Sequence, residues 1–432
     1  MNAQQQVRDL LDFIDASPSP WHAVASLENK LQKLAFRRLN EKESWSIEAG
    51  GRYYVIRDDS SMIVFVAGTK DLAQSGFKIL GAHTDSPGLR IKPHPVLNSD
   101  QLLRLAVEVY GGPILASFSD RDLSLAGRIA YRTNEGNVAS QLLRFDQPLL
   151  RLPNLAIHMN RAVNEDGLKF NKQTELALLF ATATEQQLAS DRFTALLHQA
   201  SGLAPEQILS WELNVYDTHK GTFWGDDKVF YADGQLDNLA SCHAGLAALL
   251  EPAVLAGGNT LVCAFFDHEE IGSESCKGAA GSFLPDALER ISLAMGLDKQ
   301  DYQRALANSL MISADMAHAY QPNFPNAYEP GHKIIVNQGP VVKINANHRY
   351  ASNCLSEAIF IDLCRQAEVP FQKYAHRGDL PCGSTIGPIA SAKLGVATVD
   401  VGNPMWAMHS ARESAGVLDH GYMIKALQHF FL

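Results

Sequence analysis

Residues 259–275 read NTLVCAFFDHEEIGSES, and this stretch joins an apolar run to a pair of adjacent carboxylates. The run ending at Phe266 has the length and the aromatic content of a buried strand. Helical patterns flank it, with DNLASCHAGLAALL (237–250) before it and DALERISLAMG (286–296) after it. Strands that alternate with helices indicate a largely parallel sheet covered by helices on both faces. The sequence therefore predicts an α/β fold with a mainly parallel sheet.

The size and the charge of the chain narrow the class of protein. With 432 residues it exceeds the length at which one hydrophobic core usually stops growing, so about two domains are expected. The formal net charge of -10 argues against a nucleic-acid-binding surface, which would concentrate lysine and arginine. Neither a secretory signal nor a membrane span is expected. Six cysteines without a Cys-x-x-Cys pair favour reduced thiols and a cytoplasmic protein.

The pattern of apolar residues changes twice along the chain. Between about residues 92 and 225, segments such as LLRLAVEVYGG and ILSWELNVYDT alternate in the strand period, with one helical segment near 188–200. Helices and apolar strands alternate on either side of this region. We therefore predict a discontinuous α/β domain over residues 1–91 and 226–432, interrupted by a β-rich insertion over residues 92–225.

Residues able to bind a metal recur just after the predicted strands. In open α/β sheets the carboxyl ends of the strands meet at one crevice, so residues far apart in the sequence can share a site. A further carboxylate stands at a predicted helix start. The candidates are His83 and Asp85 after FKILGA, Asp237 in DGQLDNLAS, Glu269 and Glu270 after LVCAFF, Asp315 after SLMISA, and His409 after GVATVDV.

Five of these residues make a donor set for two closely spaced cations. Two such ions need a bridging carboxylate and roughly one imidazole and one carboxylate each. Asp237 is the expected bridge, with His83 and Asp315 on one ion and Glu270 and His409 on the other. The residual positive charge would lower the pKa of a shared water and polarise a carbonyl group.

Glu269 has a different expected role from its neighbour Glu270, because adjacent residues leaving a strand end cannot both point at the same ion. Its carboxylate can accept a proton from a metal-bound water and pass it to the leaving amine. Asp85, two residues after His83, is expected to orient that imidazole by a hydrogen bond.

Each candidate also has an ordinary explanation. A histidine after a strand is usually a loop residue whose hydrogen bonds are satisfied. Asp237 could be only an N-cap, a common use of Asp at a helix start. Glu270 or Asp315, taken singly, could be a surface acid. The recurrence of these side chains at strand ends is what favours a metal site.

Eight ordered segments together resemble the M18 metallopeptidases, the aspartyl aminopeptidase family, and among them the bacterial enzymes most. They are GAHTDSPGLRIKP, LAIHMNR, DGQLDNLAS, FDHEEIGS, SADMAHAYQPN, GPVVKINANHRYAS, DLPCGSTIGPI and MHSARE. The resemblance covers essentially the whole chain. It implies a dizinc catalytic peptidase domain that is interrupted by a β-rich dimerisation domain. Mixed imidazole and carboxylate ligands favour zinc, and Mn²⁺ and Co²⁺ tolerate similar sites.

The resemblance also implies an activity. It is the removal of N-terminal residues, with Asp and Glu favoured, from peptides that carry a free N-terminus. A metal-bridging water would attack, with Glu269 as the general base. The metal ligands carry over as His83, Asp237, Glu270, Asp315 and His409.

Three further residues acquire roles by this resemblance. Lys343 in GPVVKINAN looks like the basic residue that faces an acidic substrate side chain, and His318 like a contact with substrate or with the metal ligands. His158 in LAIHMNR is either a zinc ligand or a residue that enters the active site of a neighbouring subunit. Family members build closed assemblies, so dimers that form a tetrahedral dodecamer are expected.

Two other functions stay open on the sequence. The first keeps the metal pair and changes the substrate, as in dinuclear-metal amidohydrolases and deacylases. The second is a non-catalytic shell protein that retains the fold.

Overall fold

The computed structural model describes residues 2–183 and 189–432. The helices are α1 Ala3–Asp15, α2 Pro20–Lys33, α3 Leu72–Ser75, α4 Val163–Asp166, α5 Ala189–Ser201, α6 Leu236–Leu249, α7 Pro252–Leu255, α8 Phe283–Ala294, α9 Lys299–Ala307, α10 Cys354–Gln366, α11 Ile386–Leu394 and α12 Val417–Phe431. The strands are β1 Arg37–Leu39, β2 Arg52–Arg57, β3 Ser61–Val66, β4 Phe77–His83, β5 Gly88–Ser99, β6 Leu102–Tyr110, β7 Leu123–Arg132, β8 Val138–Arg144, β9 Leu178–Thr182, β10 Ile208–Asp217, β11 Thr222–Trp224, β12 Phe230–Asp233, β13 Thr260–Phe266, β14 Leu310–Ala314, β15 Ala317–His318, β16 Val341–Ile344, β17 Gln372–Ala375, β18 Ala397–Gly402, β19 Pro404–Trp406 and β20 Glu413–Gly416.

The largest sheet confirms the predicted fold class. Its nine strands lie in the order β1-β2-β3-β13-β4-β14-β18-β16-β17. The central strands β13, β4, β14 and β18 are parallel to one another. Antiparallel pairings occur further out, where β3 meets β13 and where β16 meets β18. Every residue of β13 is buried, as expected for a strand covered on both faces.

Helices cover both faces of this sheet. Successive side chains of a strand point to opposite faces. In β4, Leu80 therefore packs in the core that includes α6, α10 and α12, whereas Ile79 packs in the core that includes α8 and α11. This two-sided packing holds the ends of β4, β13 and β14 in a fixed relation.

A second sheet is antiparallel and has its own apolar core. Its strands lie in the order β8-β7-β10-β5-β6-β9, and buried leucines such as Leu105, Leu125 and Leu213 fill its core together with Phe193 of α5. The strand-period segments between residues 92 and 225 form most of this sheet. The helix predicted near 188–200 corresponds to α5, although residue 188 lies outside the described residues. The limits of the two domains stay a prediction.

A third sheet, in the order β11-β12-β20-β19-β15, borders the metal-site candidates. β12 leads into α6, and the loop between β19 and β20 carries His409. All six cysteines are unpaired. No helix within residues 2–183 and 189–432 is both long and apolar enough to span a bilayer. The cytoplasmic location stays a prediction.

Candidate metal centre

Three of the candidate segments end neighbouring parallel strands. His83 is the last residue of β4, Glu269 and Glu270 follow β13, and Asp315 follows β14. β4 lies between β13 and β14 in the sheet. The carboxyl ends of these strands therefore meet at one edge, and their side chains share one crevice.

Asp237 and His409 reach the same crevice from other elements. Asp237 is the second residue of α6 but has non-helical backbone angles, φ −82 and ψ 104. Its carboxylate contacts two imidazoles, so the side chain serves the crevice and not the cap of the helix. His409 comes from the loop that precedes β20.

The carboxylate of Asp237 lies between the two histidines. Its Oδ1 is 3.4 Å from Nε2 of His83, and its Oδ2 is 3.3 Å from Nε2 of His409. Asp315 Oδ1 is 3.6 Å from the same nitrogen of His83, and Glu270 Oε1 is 3.3 Å from that of His409. The side chains thus form two groups that share Asp237.

Backbone carbonyls fix which nitrogen of each imidazole faces the crevice. Nδ1 of His83 is 3.0 Å from the carbonyl oxygen of Asp85, and Nδ1 of His409 is 3.1 Å from that of Gly112. A carbonyl oxygen only accepts, so each Nδ1 carries the hydrogen. In the neutral ring, Nε2 then presents a lone pair to the carboxylates. Either a proton or a cation must lie between these acceptors.

The raised pKa values of two residues in the cluster show that the site favours positive charge. Burial disfavours the charged form of His409, yet the contacts with Asp237 and Glu270 outweigh it and raise its pKa to about 11. Burial, together with the charge of Asp237, raises the pKa of Glu270 to about 7.

The donor set fits zinc. Zinc in proteins takes imidazole nitrogen and carboxylate oxygen at about 2.0–2.2 Å in tetrahedral geometry, which places two ligand atoms roughly 3.3 Å apart. The distances of 3.3 to 3.6 Å between the paired ligand atoms agree with that spacing. In addition, Asp237 Oδ1 is buried and makes no hydrogen bond within the described part of the chain.

The carboxylate of Asp85 binds the turn that carries Glu269 and Glu270 and not the ring of His83. It accepts the backbone N–H groups of Glu269 and Glu270, both at 3.1 Å, and the hydroxyl of Tyr110 at 2.6 Å. Nδ1 of His83 donates to the backbone carbonyl oxygen of Asp85, whereas the nearest carboxylate oxygen of Asp85, Oδ1, is 3.5 Å from that nitrogen. Asp85 therefore anchors the turn that carries the paired glutamates. Tyr110, from the second sheet, had no sequence signal.

Glu269 stands at the edge of the cluster. Its Oε2 is 3.9 Å from Nε2 of His83, and its ligand atoms lie within 4.8 Å of those of His83 and Asp315. Burial and the nearby charges of Asp315, Glu270 and Asp85 raise its pKa well above the usual range, while His83 opposes them. The geometry suits either a proton acceptor beside a bound metal or a further metal ligand.

Lys343 and His318 line the adjoining part of the crevice. Nζ of Lys343 is 3.5 Å from Oδ2 of Asp315 and donates to the carbonyl oxygen of Met316 at 3.2 Å. Its ammonium is thus engaged with a ligand of the cluster. The ring of His318 lies 6.0 Å from that of Tyr374, and burial together with the charge of Lys343 lowers the pKa of His318 to about 4. Its role as a substrate contact stays a prediction.

His158 lies apart from the candidate ligands. It occupies an exposed turn of the chain that is flanked by exposed apolar side chains, with Leu155 at 67%, Ile157 at 47% and Met159 at 76% exposure. Two clusters of possible metal-binding atoms occur among the described residues, one of His83, Asp237 and Glu270 and one of His83, Glu269 and Asp315, and neither includes His158. Both of its predicted roles stay predictions.

The fold and the donor set together define a metal-dependent hydrolase of the α/β class. The sequence model of the M18 family, Aminopeptidase I zinc metalloprotease, matches residues 13–431. A probable M18 family aminopeptidase 2 from Stutzerimonas stutzeri (strain A1501) is 46% identical over 427 residues, which cover 98% of this chain and 97% of that protein. The chain therefore belongs to the M18 family of zinc aminopeptidases, and it is a metalloaminopeptidase.

Solved structures agree with this assignment. The cryo-EM structure of the Ape4 and Nbr1 complex matches with a TM-score of 0.96 and 38% identity, over 99% of this chain and 86% of that chain. The structure of the S. cerevisiae mApe1 dodecamer matches with a TM-score of 0.83 and 27% identity, over 98% of this chain and 95% of that chain. The whole fold is thus shared with these proteins.

Proposed function

We propose that this aminopeptidase removes acidic residues, Asp and Glu, from the N-termini of peptides and that it uses two divalent ions. The position of Asp237 carries the two-ion part of the proposal. One carboxylate contacts His83 through one oxygen and His409 through the other, which is the arrangement expected of a ligand shared between two ions.

The distances between the side chains support a specific assignment of ligands. Asp237 would bridge, with His83 and Asp315 on one ion and Glu270 and His409 on the other. Zinc suits this mixture of imidazole and carboxylate, which Mn²⁺ and Co²⁺ also tolerate. Metal held by these residues would lower the pKa of a water molecule and polarise the scissile carbonyl.

Glu269 would handle the protons of the reaction. Its carboxylate would take a proton from the attacking water and deliver it to the nitrogen of the leaving amine, so it would end the cycle ionised as it began. Its side chain is 13% exposed and lies beside His83, which supports this role. Asp85 would hold the backbone of Glu269 in place through the bond to its N–H group.

Lys343 would select the acidic first residue of the substrate. It is a buried cation next to the ligand Asp315, with a side chain only 3% exposed. If Asp315 also binds a metal, its negative charge does not fully neutralise the ammonium of Lys343. The remaining positive potential in the crevice would favour a carboxylate on the substrate.

Replacing Lys343 with Met should reduce the preference for N-terminal Glu over N-terminal Gln. Hydrogen bonds to charged groups contribute about 1.5–3 kcal/mol, so the ratio of kcat/KM for the two substrates should fall roughly 10-fold to 100-fold. The pair Glu and Gln isolates charge because the side chains have nearly the same shape.

Lys333→Met is the matched control, because Lys333 is an exposed lysine that packs over Tyr320. It should keep the wild-type ratio. Zinc content is measured in both variants, since Lys343 also contacts Asp315. A Lys343→Met enzyme that retains its zinc and the wild-type ratio would remove Lys343 from substrate selection.

The protein is also proposed to self-associate, as dimers that assemble into a tetrahedral dodecamer. The matched mApe1 structure is a dodecamer. The exposed apolar side chains of Leu155, Ile157 and Met159 support a buried contact at that turn. His158, within the turn, would then enter the active site of a neighbouring subunit.

A further inference from the structure

The carboxylate of Glu413 connects two of the proposed metal ligands. Glu413 begins β20 and is 2% exposed. Its Oε1 accepts the backbone N–H of His409 at 2.6 Å, and its Oε2 accepts the backbone N–H of Asp237 at 3.0 Å. One side chain therefore ties the loop that carries His409 to the start of α6.

The backbone of His409 is strained and held from several sides. Its φ is 69°, in the left-handed region that side chains other than glycine rarely adopt. Such a conformation persists only when the surroundings fix it. Three hydrogen bonds hold His409. Its carbonyl oxygen accepts from the N–H of Ile114 at 2.8 Å, its Nδ1 donates to the carbonyl oxygen of Gly112, and its backbone N–H donates to Glu413.

His409 needs this support more than the other ligands do. Its side chain is 30% exposed, compared with 1% for His83 and 4% for Asp237, so packing alone restrains it least. If its backbone relaxed, Nε2 would turn away from Asp237 and Glu270.

We infer that Glu413 is a positioning residue that fixes His409 and the bridging Asp237 together and thereby sets the affinity for the ion assigned to Glu270 and His409. This inference rests on the two-ion arrangement proposed above. In this role Glu413 would act through the two backbone N–H groups that it binds and not as a ligand or a substrate contact.

Glu413→Gln tests the inference because glutamine keeps the shape of the side chain but has one accepting oxygen instead of two. One of the two N–H groups must then lose its partner. Loss of a partner that orients a metal ligand typically weakens metal binding about 10-fold to 100-fold. Competition between the full-length protein and a chromophoric chelator for Zn²⁺ should show that weakening for the ion assigned to Glu270 and His409. The other ion, which shares only Asp237 among the two residues that Glu413 binds, should be weakened less.

Asp419→Asn is the matched control. The buried carboxylate of Asp419 also accepts two backbone N–H groups, that of Asn337 at 2.6 Å and that of Gly339 at 2.8 Å. Both groups belong to a loop that carries none of the proposed metal ligands. Thermal unfolding should show that both variants lose stability, whereas only Glu413→Gln should bind zinc more weakly.

The outcomes separate this inference from the proposed metal centre. A wild-type protein that binds only one zinc ion per subunit contradicts the two-ion centre itself. If the wild type binds two ions and Glu413→Gln binds both with the wild-type affinities, the role of Glu413 is overturned and the two-ion centre is not. Glu413→Asp covers the case in which the Gln variant does not fold, because it keeps the charge but is too short to reach both N–H groups.

Discussion

Replacing Glu269 with Gln is expected to lower kcat by about 10²–10⁴-fold, the usual contribution of a general base, while both metal ions remain bound. The amide has nearly the same shape as the carboxylate but cannot take up a proton. Steady-state hydrolysis of a Glu-containing peptide, together with the zinc content of the same sample, measures both parts of the prediction.

The metal content decides between the two roles that the geometry allows for Glu269. Its ligand atoms lie close to those of His83 and Asp315, so a ligand role predicts that the variant loses zinc as well as activity. Glu274→Gln is the matched control, because Glu274 is an exposed carboxylate on the same loop, and it should behave as the wild type. Full activity of Glu269→Gln would remove Glu269 from the mechanism.

Mixing two inactive variants should restore activity if His158 acts across a subunit interface. His158→Ala is expected to lower kcat by roughly 10²–10³-fold, the cost of losing one group that stabilises the transition state. When it co-assembles with Glu269→Gln, some sites combine an intact Glu269 with an intact His158 from the neighbour. An equal mixture should regain about a quarter of the wild-type rate, because half of the sites keep Glu269 and half of those receive His158 in a symmetric assembly.

The same mixture also tests the alternative. If His158 acts within its own subunit, no mixed site contains both residues, and the mixture stays as inactive as its parts. A loss of zinc from His158→Ala would instead favour the role of metal ligand. An isolated, fully active monomer would contradict any role across an interface.

The sequence predicts the main sheet well, and it predicts that the candidate ligands meet at one edge of that sheet, because both depend on strong local patterns. The fully apolar run of β13 and the alternation of strands with helices indicate a parallel sheet, and such a sheet brings its strand ends together. The distances of His83, Asp237 and His409 follow the predicted bridge. The assignment of these residues as metal ligands nevertheless stays a prediction that metal analysis must test.

The supporting residues could not be predicted because their partners are distant in the sequence. Tyr110 belongs to the second sheet, yet it donates to Asp85. Glu413 lies only four residues after His409, but its second bond goes to Asp237, 176 residues away. The sequence placed Asp85 as a partner of the His83 ring, and its main contacts are the backbone N–H groups of the glutamate turn. Such contacts depend on how separate elements pack.

The partner of Lys343 could not be predicted from the sequence either. Its apolar flanks, Val342 and Ile344, indicate a buried lysine that needs a partner. Only the structure identifies that partner as Asp315. The proposed selection of substrate and the contact with the proposed ligand Asp315 would therefore depend on one side chain.

The most direct test compares one peptide with an N-terminal Glu in two forms, with a free amino group and with an acetylated one. Wild-type protein is assayed loaded with zinc and after treatment with a chelator, and the zinc bound per subunit is counted. A two-ion aminopeptidase binds two zinc ions, cleaves only the free peptide and loses this activity with its metal. Cleavage of the acetylated peptide at an equal or higher rate would indicate a deacylase or amidohydrolase, and undiminished activity after complete metal removal would contradict the metal centre.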